Sequence, residues 1–221
     1  MTISTNTPES SNTAPIKSNG KTLEILRLDS SPRYADSVSR HLTDHFVARL
    51  LREYPEANVT TRDLAVFLPI PTEAVVNGAL YSMQNPTPSM QAAIQLSNEM
   101  VAELLAADIV VLGLPLYNWT IPSTFKTYID HVNRLGITFE YVDGVSYGKL
   151  KAHSVYIVFT SGGNGMASDR DFATPYVTFL WQTLGIKNVQ YIEASGLLFN
   201  AEESTRNAET HIDQLVLPVF G

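Results

Sequence analysis

Asp108–Leu114 reads DIVVLGL, one aspartate followed by six apolar or glycine residues with no polar alternation. A short β-branched run that is apolar on both faces predicts a central strand of a parallel sheet, covered by helices on both sides. Upstream, residues 86–106 carry Met90, Ile94, Val101 and Leu105 at helical spacing, the predicted inner stripe of an amphipathic helix. Downstream, Pro122 stands at a first helical position and opens a helix that runs to about Arg134. Further out, the aliphatic run Leu23–Leu28 ends in Asp-Ser-Ser-Pro, a buried strand followed by a turn. Ser37 then opens a helix with Val38, Leu42, Phe46 and Leu50 along one face. Strands are expected at Asn58–Asp63, Val155–Phe159 and Val189–Ile192, and helices near 172–184 and 203–217. Strands alternating with helices predict a doubly wound α/β sandwich of three layers around a five-stranded parallel sheet. No internal repeat or second-domain linker interrupts the pattern.

Composition narrows the class. The 221 residues are 44% hydrophobic and 17% charged, the profile of a well-packed globule. Fifteen basic against twenty-two acidic residues leave a net charge of −7, which disfavours nucleic acid and anionic membranes as partners because both require neutralised phosphates. No apolar stretch approaches the roughly 20 residues of a membrane helix. The absence of cysteine removes disulfides, thiolate nucleophiles and Cys-ligated metals together. Residues 1–21 hold mostly Ser, Thr, Asn and Pro and form an expected disordered lead-in, with the folded unit over 22–221. They lack the apolar core of a secretory signal, and a cytoplasmic protein is expected.

Nucleotide motifs are few. No G-x-G-x-x-G follows the first strand, and Gly144–Leu150 (GVSYGKL) is one residue short of a P-loop and lacks a hydroxyl after Lys149. His41 and His45 stand one helical turn apart on the solvent side and flank of their helix, without a metal pattern. Three other segments carry polar chemistry at carboxyl ends of predicted strands. The first holds Ser30, Ser31, Arg33, Ser37, Val38, Ser39 and Arg40 around one strand–helix junction. A helix N-terminus with added hydroxyls suits a terminal phosphate, while Ser37 alone reads equally as an N-cap. The second, Pro115-Leu116-Tyr117-Asn118-Trp119 running on to Pro122, is a stiff aromatic and amide loop suited to a planar heterocycle, or to packing its own rings on the core. The third, Thr160-Ser161-Gly162-Gly163-Asn164-Gly165, lets backbone N–H groups approach a ligand, or is a loose glycine turn. All three are expected on one edge of the sheet, where such folds bind ligands.

Three stretches carry a likeness to a known family: Asp29 with the SSPRYADSVSRHL that follows it, PLYNWTIPSTFKTYIDHVNRLGITFEY, and TSGGNG with the later ATPYVTFLWQTLGI. On these the chain resembles the FMN-dependent NADH:quinone oxidoreductases, also called FMN-dependent NADH-azoreductases, of the flavodoxin-like superfamily. The resemblance covers about Thr22 to Gly196. It implies a flavodoxin-like strand order, FMN as cofactor, and a phosphate held by Ser31, Ser37 and Ser39, with Val38 at the same helix start. It further implies a flavin-ring loop at Pro115, Leu116, Tyr117, Asn118 and Trp119, and a pyrimidine-side loop at Thr160, Ser161, Gly162 and Gly163. Leu116 and Trp119 depart from the Met and Phe frequent in relatives, and Ser or Arg occur in them at positions 160 and 161. The implied activity is two-electron, ping-pong transfer of hydride from NADH or NADPH to a quinone, azo or nitroaromatic acceptor, with no catalytic side chain. The implied assembly is a homodimer involving Phe139, Tyr141 and Tyr147. The alternative is a flavodoxin-type electron carrier for protein partners.

Overall fold

A computed structural model of the chain describes residues 22–80, 87–163 and 165–220. The expected lead-in and Asn164 lie outside the described residues. In chain order the elements are β1 (Glu24–Asp29), α1 (Val38–Glu53), β2 (Asn58–Asp63), α2 (Glu73–Leu80), α3 (Pro88–Ala106), β3 (Ile109–Pro115) and α4 (Ser123–Val132). They continue with β4 (Phe139–Val142), β5 (Val145–Gly148), β6 (Ser154–Thr160), α5 (Thr174–Thr183), β7 (Asn188–Ala194) and α6 (Leu197–Gln214). The sheet has the order β2-β1-β3-β6-β7 and every pairing in it is parallel. With the β4–β5 hairpin set aside, this is the flavodoxin-like order 2-1-3-4-5.

Each central strand feeds two cores because successive side chains point to opposite faces. On one face Ile25, Ile109, Val111, Tyr156 and Val158 pack with Leu42, Phe46 and Leu50 of α1 and with Ala208 and Ile212 of α6. On the other, Leu26, Leu28, Val110, Leu112 and Ile157 meet α3, α4 and α5 through Met100, Leu104, Phe125, Tyr128 and Trp181. All seven residues of β3 and of β6 are buried, as a doubly covered strand requires. Among the described residues no helix is long and apolar enough to cross a membrane.

Several boundaries differ from the sequence expectation for identifiable reasons. In α3 the buried stripe is Ser97, Met100, Val101 and Leu104, whereas Leu105 is exposed. The side chain of Met90 is outside what is described. Ser97 hid the true phase because it is polar, yet its hydroxyl donates to His131 O at 2.6 Å and accepts from Arg134 Nη1 at 2.7 Å. Pro122 is the residue before α4 rather than its first, and the helix stops at Val132, short of Arg134. There the Thr138 hydroxyl donates to Val132 O and accepts from the Arg134 amide, both at 2.8 Å, closing the helix end. Helix α2 and the hairpin had no counterpart in the expected elements. The hairpin lies backbone-to-backbone on the end of α5: a Cβ on Gly148 would stand 1.9 Å from the carbonyl carbon of Leu184, so no side chain fits. Helix α6 begins six residues before its expected start near 203, in a single turn that breaks at Asn200 (φ −138°, ψ 51°).

Candidate functional site

Register brings the three chemistry-bearing loops together. Asp29 pairs with Gly113, Pro115 with Thr160, and Thr160 with Ala194, so four strands finish level on one edge. The loops that leave this edge are then stitched to one another. The Ser30 hydroxyl donates to Gly113 O at 2.6 Å, and the Thr124 hydroxyl donates to Ser30 O at 2.7 Å. The Leu116 amide donates to Thr160 O at 2.7 Å and the Ser161 amide to Ala194 O at 3.1 Å. Between them lies a cleft of about 300 Å³ walled by Ser31, Ser37, Val38 and Ser39, by Pro115, Leu116 and Tyr117, and by Thr160, Ser161 and Gly162. Asn118 lies outside it and lines an adjoining open cleft of about 750 Å³, which shares Arg33, Leu116 and Tyr117. Trp119 and Gly163 line neither cleft; both are exposed next to it in sequence.

At one end of the cleft α1 presents its N-terminus. Ser37 occupies the cap position with extended backbone, but its hydroxyl makes no cap bond; it lies 3.3 Å from the Ser39 hydroxyl instead. The amides of Val38, Ser39 and Arg40 have no acceptor among the described residues, and the first turn holds no acidic residue. Open amides, the positive end of the helix and two neighbouring hydroxyls make a site for an anion. Arg40 holds the loop that leads into it. Its guanidinium donates to Ser31 O at 2.7 Å, to Arg33 O at 3.0 Å and to Asp63 Oδ1 at 2.7 Å, and it lies 4.5 Å from the centre of the Tyr34 ring. Burial alone would raise the Asp63 carboxyl, but the Arg40 bond and the Ala65 amide outweigh it and hold the group below its ordinary value.

The middle wall is a strained turn. Asn118 and Trp119 both have left-handed backbone, φ 49° and 66°, and Tyr117 and Thr120 exchange backbone bonds of 3.0 and 3.1 Å across them. Positive φ at both central positions is the type I′ geometry, which favours Asn and Gly and disfavours Trp. The turn projects the Trp119 ring into solvent, where it is 54% exposed. The Tyr117 hydroxyl reaches back to 3.2 Å from Ser31 Oγ and links the second loop to the first. In the third loop, Ser161 O accepts from the Leu197 amide at 3.1 Å and Gly162 O from the Leu198 amide at 2.9 Å. The amides of Gly162 and Gly163 have no partner among the described residues.

Comparison with known proteins agrees with this architecture. A family model described as a flavodoxin-like fold matches residues 24–216. An FMN-dependent NADH:quinone oxidoreductase 2 of Pseudomonas fluorescens (strain Pf0-1) is 38% identical over 175 residues, covering 78% of this chain and 87% of that one. An FMN-dependent NADH:quinone oxidoreductase of Bordetella avium (strain 197N) is 38% identical over 202 residues, 89% of this chain and 98% of that one. The chain belongs to the FMN-dependent NADH:quinone oxidoreductase family. An azoreductase crystal structure from Bacillus anthracis str. Sterne superposes with a TM-score of 0.76 at 26% identity, covering 88% of this chain and all of that one.

Further residues that no sequence pattern marked stand at the cleft of this quinone oxidoreductase relative. Asp36, with left-handed φ of 56°, and Leu197, Leu198 and Ala201 line the cleft. Gly196 was the available signal for the last three, because its φ of 73° turns the chain from β7 into α6 across the cleft mouth. Asp171 is a second omission. Its buried carboxylate accepts the amides of Ala167, Ala173 and Thr174 at 2.9–3.0 Å and the Thr174 hydroxyl. It thereby folds the 165–173 loop, whose Phe172 amide donates to Trp119 O at 3.2 Å. Burial raises this carboxyl, but the bonds from Thr174, Ala167 and Ala173 outweigh burial and lower it below its ordinary 3.8. A carboxylate lowered on folding contributes stability above its unfolded pKa and loses it as pH falls through the folded one. Asp171→Ala should therefore cost about 1–3 kcal/mol at neutral pH. Urea titrations should show that deficit closing below the ordinary value of 3.8; a deficit constant with pH would contradict the assignment.

Proposed function

We propose that the chain is an FMN-dependent NAD(P)H oxidoreductase that reduces quinones and azo compounds by two-electron transfer. The observation that carries this reading is the set of open donors at the α1 end of the cleft and at Gly162 on its far wall, with Pro115, Leu116 and Tyr117 between them. The amides of Val38, Ser39 and Arg40 and the hydroxyls of Ser37 and Ser39 would hold the FMN phosphate, with Ser31 beside them. A dianion suits this end, which offers donors and no capping side chain. Pro115, Leu116, Tyr117, Asn118 and Trp119 would lie along the flavin ring, and Thr160, Ser161, Gly162 and Gly163 would face its pyrimidine side. Bound FMN would supply the redox chemistry, two-electron hydride transfer in ping-pong order between a reduced nicotinamide and the acceptor, and the residues named here would hold and orient it.

The protein's own contribution is position and electrostatics. Arg40 holds the carbonyls of Ser31 and Arg33 away from the phosphate end, so that donors rather than acceptors face the anion. The amides of Gly162 and Gly163, without a partner among the described residues, would stabilise negative charge on the pyrimidine edge of a bound flavin, the logic of an oxyanion hole. Exposed Tyr141, Val142, Val145 and Tyr147 give the hairpin an apolar surface, and we assign it to a homodimer interface. Light scattering is expected to give twice the monomer mass; a monomer with full activity would remove this assignment.

Two experiments test the reading. Ser37→Ala with Ser39→Ala removes two hydrogen bonds to a charged group, each contributing about 1.5–3 kcal/mol, so FMN affinity should fall by about two to four orders of magnitude. Riboflavin, which lacks the phosphate, should bind almost as before; equal losses for both ligands would make these serines structural. Under argon, NADH alone should bleach the yellow holoprotein, with parallel double-reciprocal lines in the steady state. Bleaching that needs an added reductase would identify an electron carrier instead.

A further inference from the structure

Two helices meet the cleft with their N-termini and use their first-turn amides in opposite ways. Helix α1 leaves the amides of Val38, Ser39 and Arg40 open. Helix α6 directs its own at protein carbonyls: Leu197 donates to Ser161 O at 3.1 Å and Leu198 to Gly162 O at 2.9 Å. A trans peptide is planar, with its C=O and N–H pointing in opposite directions. Gripping Ser161 O therefore fixes the direction of the Gly162 amide, and gripping Gly162 O fixes that of the Gly163 amide. Both are turned away from α6. The peptide before them is held by the sheet, through Leu116 to Thr160 O and Ser161 to Ala194 O. Without α6, two successive glycines would leave the next two peptides free to rotate.

The gripping segment is a unit of its own. Gly196, at φ 73°, turns the chain into it, and Asn200 breaks the helix after it, so Leu197–Phe199 forms one turn set off from the rest of α6. Its Leu198 side chain lies over the loop: a Cβ added to Gly162 would stand 3.1 Å from Leu198 Cδ1. Leu198 is nonetheless 80% exposed and Phe199 78%, which hydrophobic burial does not explain.

We propose that the turn Leu197–Phe199 is a positioning device that aims the Gly162 and Gly163 amides at the pyrimidine edge of the flavin and thereby sets its reduction potential. The inference rests on the FMN reading above. Amides fixed in advance favour the flavin most when it is reduced and carries negative charge at N1 and the C2 carbonyl. Removing the grip should weaken binding of reduced FMN more than that of oxidised FMN.

The test is Leu198→Pro. Proline is tolerated in the first turn of a helix, where no intrahelical bond is lost, and α5 already carries Pro175 there. This change deletes the bond to Gly162 O, and its ring, which takes the place of the amide hydrogen, also pushes that carbonyl away. The holoprotein's midpoint potential is measured by spectroscopic titration against a reference dye, and oxidised FMN binding by fluorescence quenching. Leu198→Pro should bind reduced FMN about tenfold more weakly relative to oxidised FMN, a shift of about 30 mV to more negative potential for a two-electron couple. Phe199→Ala keeps both gripping amides and alters no wall of the cleft, and it should keep the wild-type potential. A folded, FMN-loaded Leu198→Pro with an unmoved potential overturns the proposal, as does Phe199→Ala shifting it equally. If Leu198→Pro does not fold, Gly196→Asn and Gly196→Val decide, since Asn accepts left-handed backbone and Val does not. A lower potential in the Val variant alone supports the device, and equal potentials overturn it. Wild-type protein that binds no FMN would remove the functional reading and this inference with it, whereas FMN binding with unmoved potentials removes this inference alone.

Discussion

Everything at the cleft hangs from the hydrogen-bond register of four parallel strands. Because β1, β3, β6 and β7 run in one direction and pair level at Asp29–Gly113, Pro115–Thr160 and Thr160–Ala194, their outgoing loops start from a common edge. A slip of one residue in any strand would turn its apolar set to the opposite core and lift its loop away from its neighbours. The two cores forbid that slip. Val110 and Leu112 belong to one and Ile109 and Val111 to the other, all fully buried, so β3 has no alternative phase of equal energy.

On that scaffold the loops are held by polar bonds rather than by burial. Arg40 secures the 31–33 carbonyls, Tyr117 touches Ser31, and Asp171 folds the segment that contacts Trp119. Arg40 and Asp171 shape the loops they adjoin, while the Tyr117–Ser31 contact and the Phe172 amide on Trp119 O join one loop to another. Strain at the cleft is local as well. Two consecutive non-glycine residues in left-handed conformation cost about 1–3 kcal/mol each, and they occur at the tip of the loop assigned to the flavin ring. Strain of this kind persists where the surroundings over-determine the backbone; here that means the paired bonds between Tyr117 and Thr120 and the contact from Phe172.

The buried polar groups of α3 and α4 serve the scaffold in a different way. Arg134 is almost wholly buried and bonds Ser97 and Asn98 rather than a carboxylate, and burial lowers its pKa. His131 Nε2 lies 2.8 Å from Pro69 O. A carbonyl only accepts, so this bond requires the proton on Nε2. These contacts tie the end of α4 to α3 and to the segment before α2, and they hold the helix whose N-terminal residues line the adjoining cleft.

The sequence by itself determined the layer architecture, the parallel sheet and the clustering of polar, glycine and aromatic residues in the loops at one sheet edge. Those features are written in short-range patterns: unbroken apolar runs at β3 and β6, a helical stripe in α1, and clustered Ser, Gly and aromatic residues after strands. It also pointed to an anion site at Ser37 but left open whether that serine caps its helix, because a cap and a ligand donor have the same local sequence. Only the tertiary structure decided that the Ser37 hydroxyl leaves the cap bond unmade. It alone brought Leu197 and Leu198 to the cleft, far along the chain from Ser37, because their place depends on a left-handed Gly196 and on carbonyls of another loop. The inner face of α3 was equally beyond local reading. Ser97 belongs in that core only because His131 and Arg134 of a distant segment satisfy its hydroxyl, and hydrogen bonds between segments leave no periodic trace in either one.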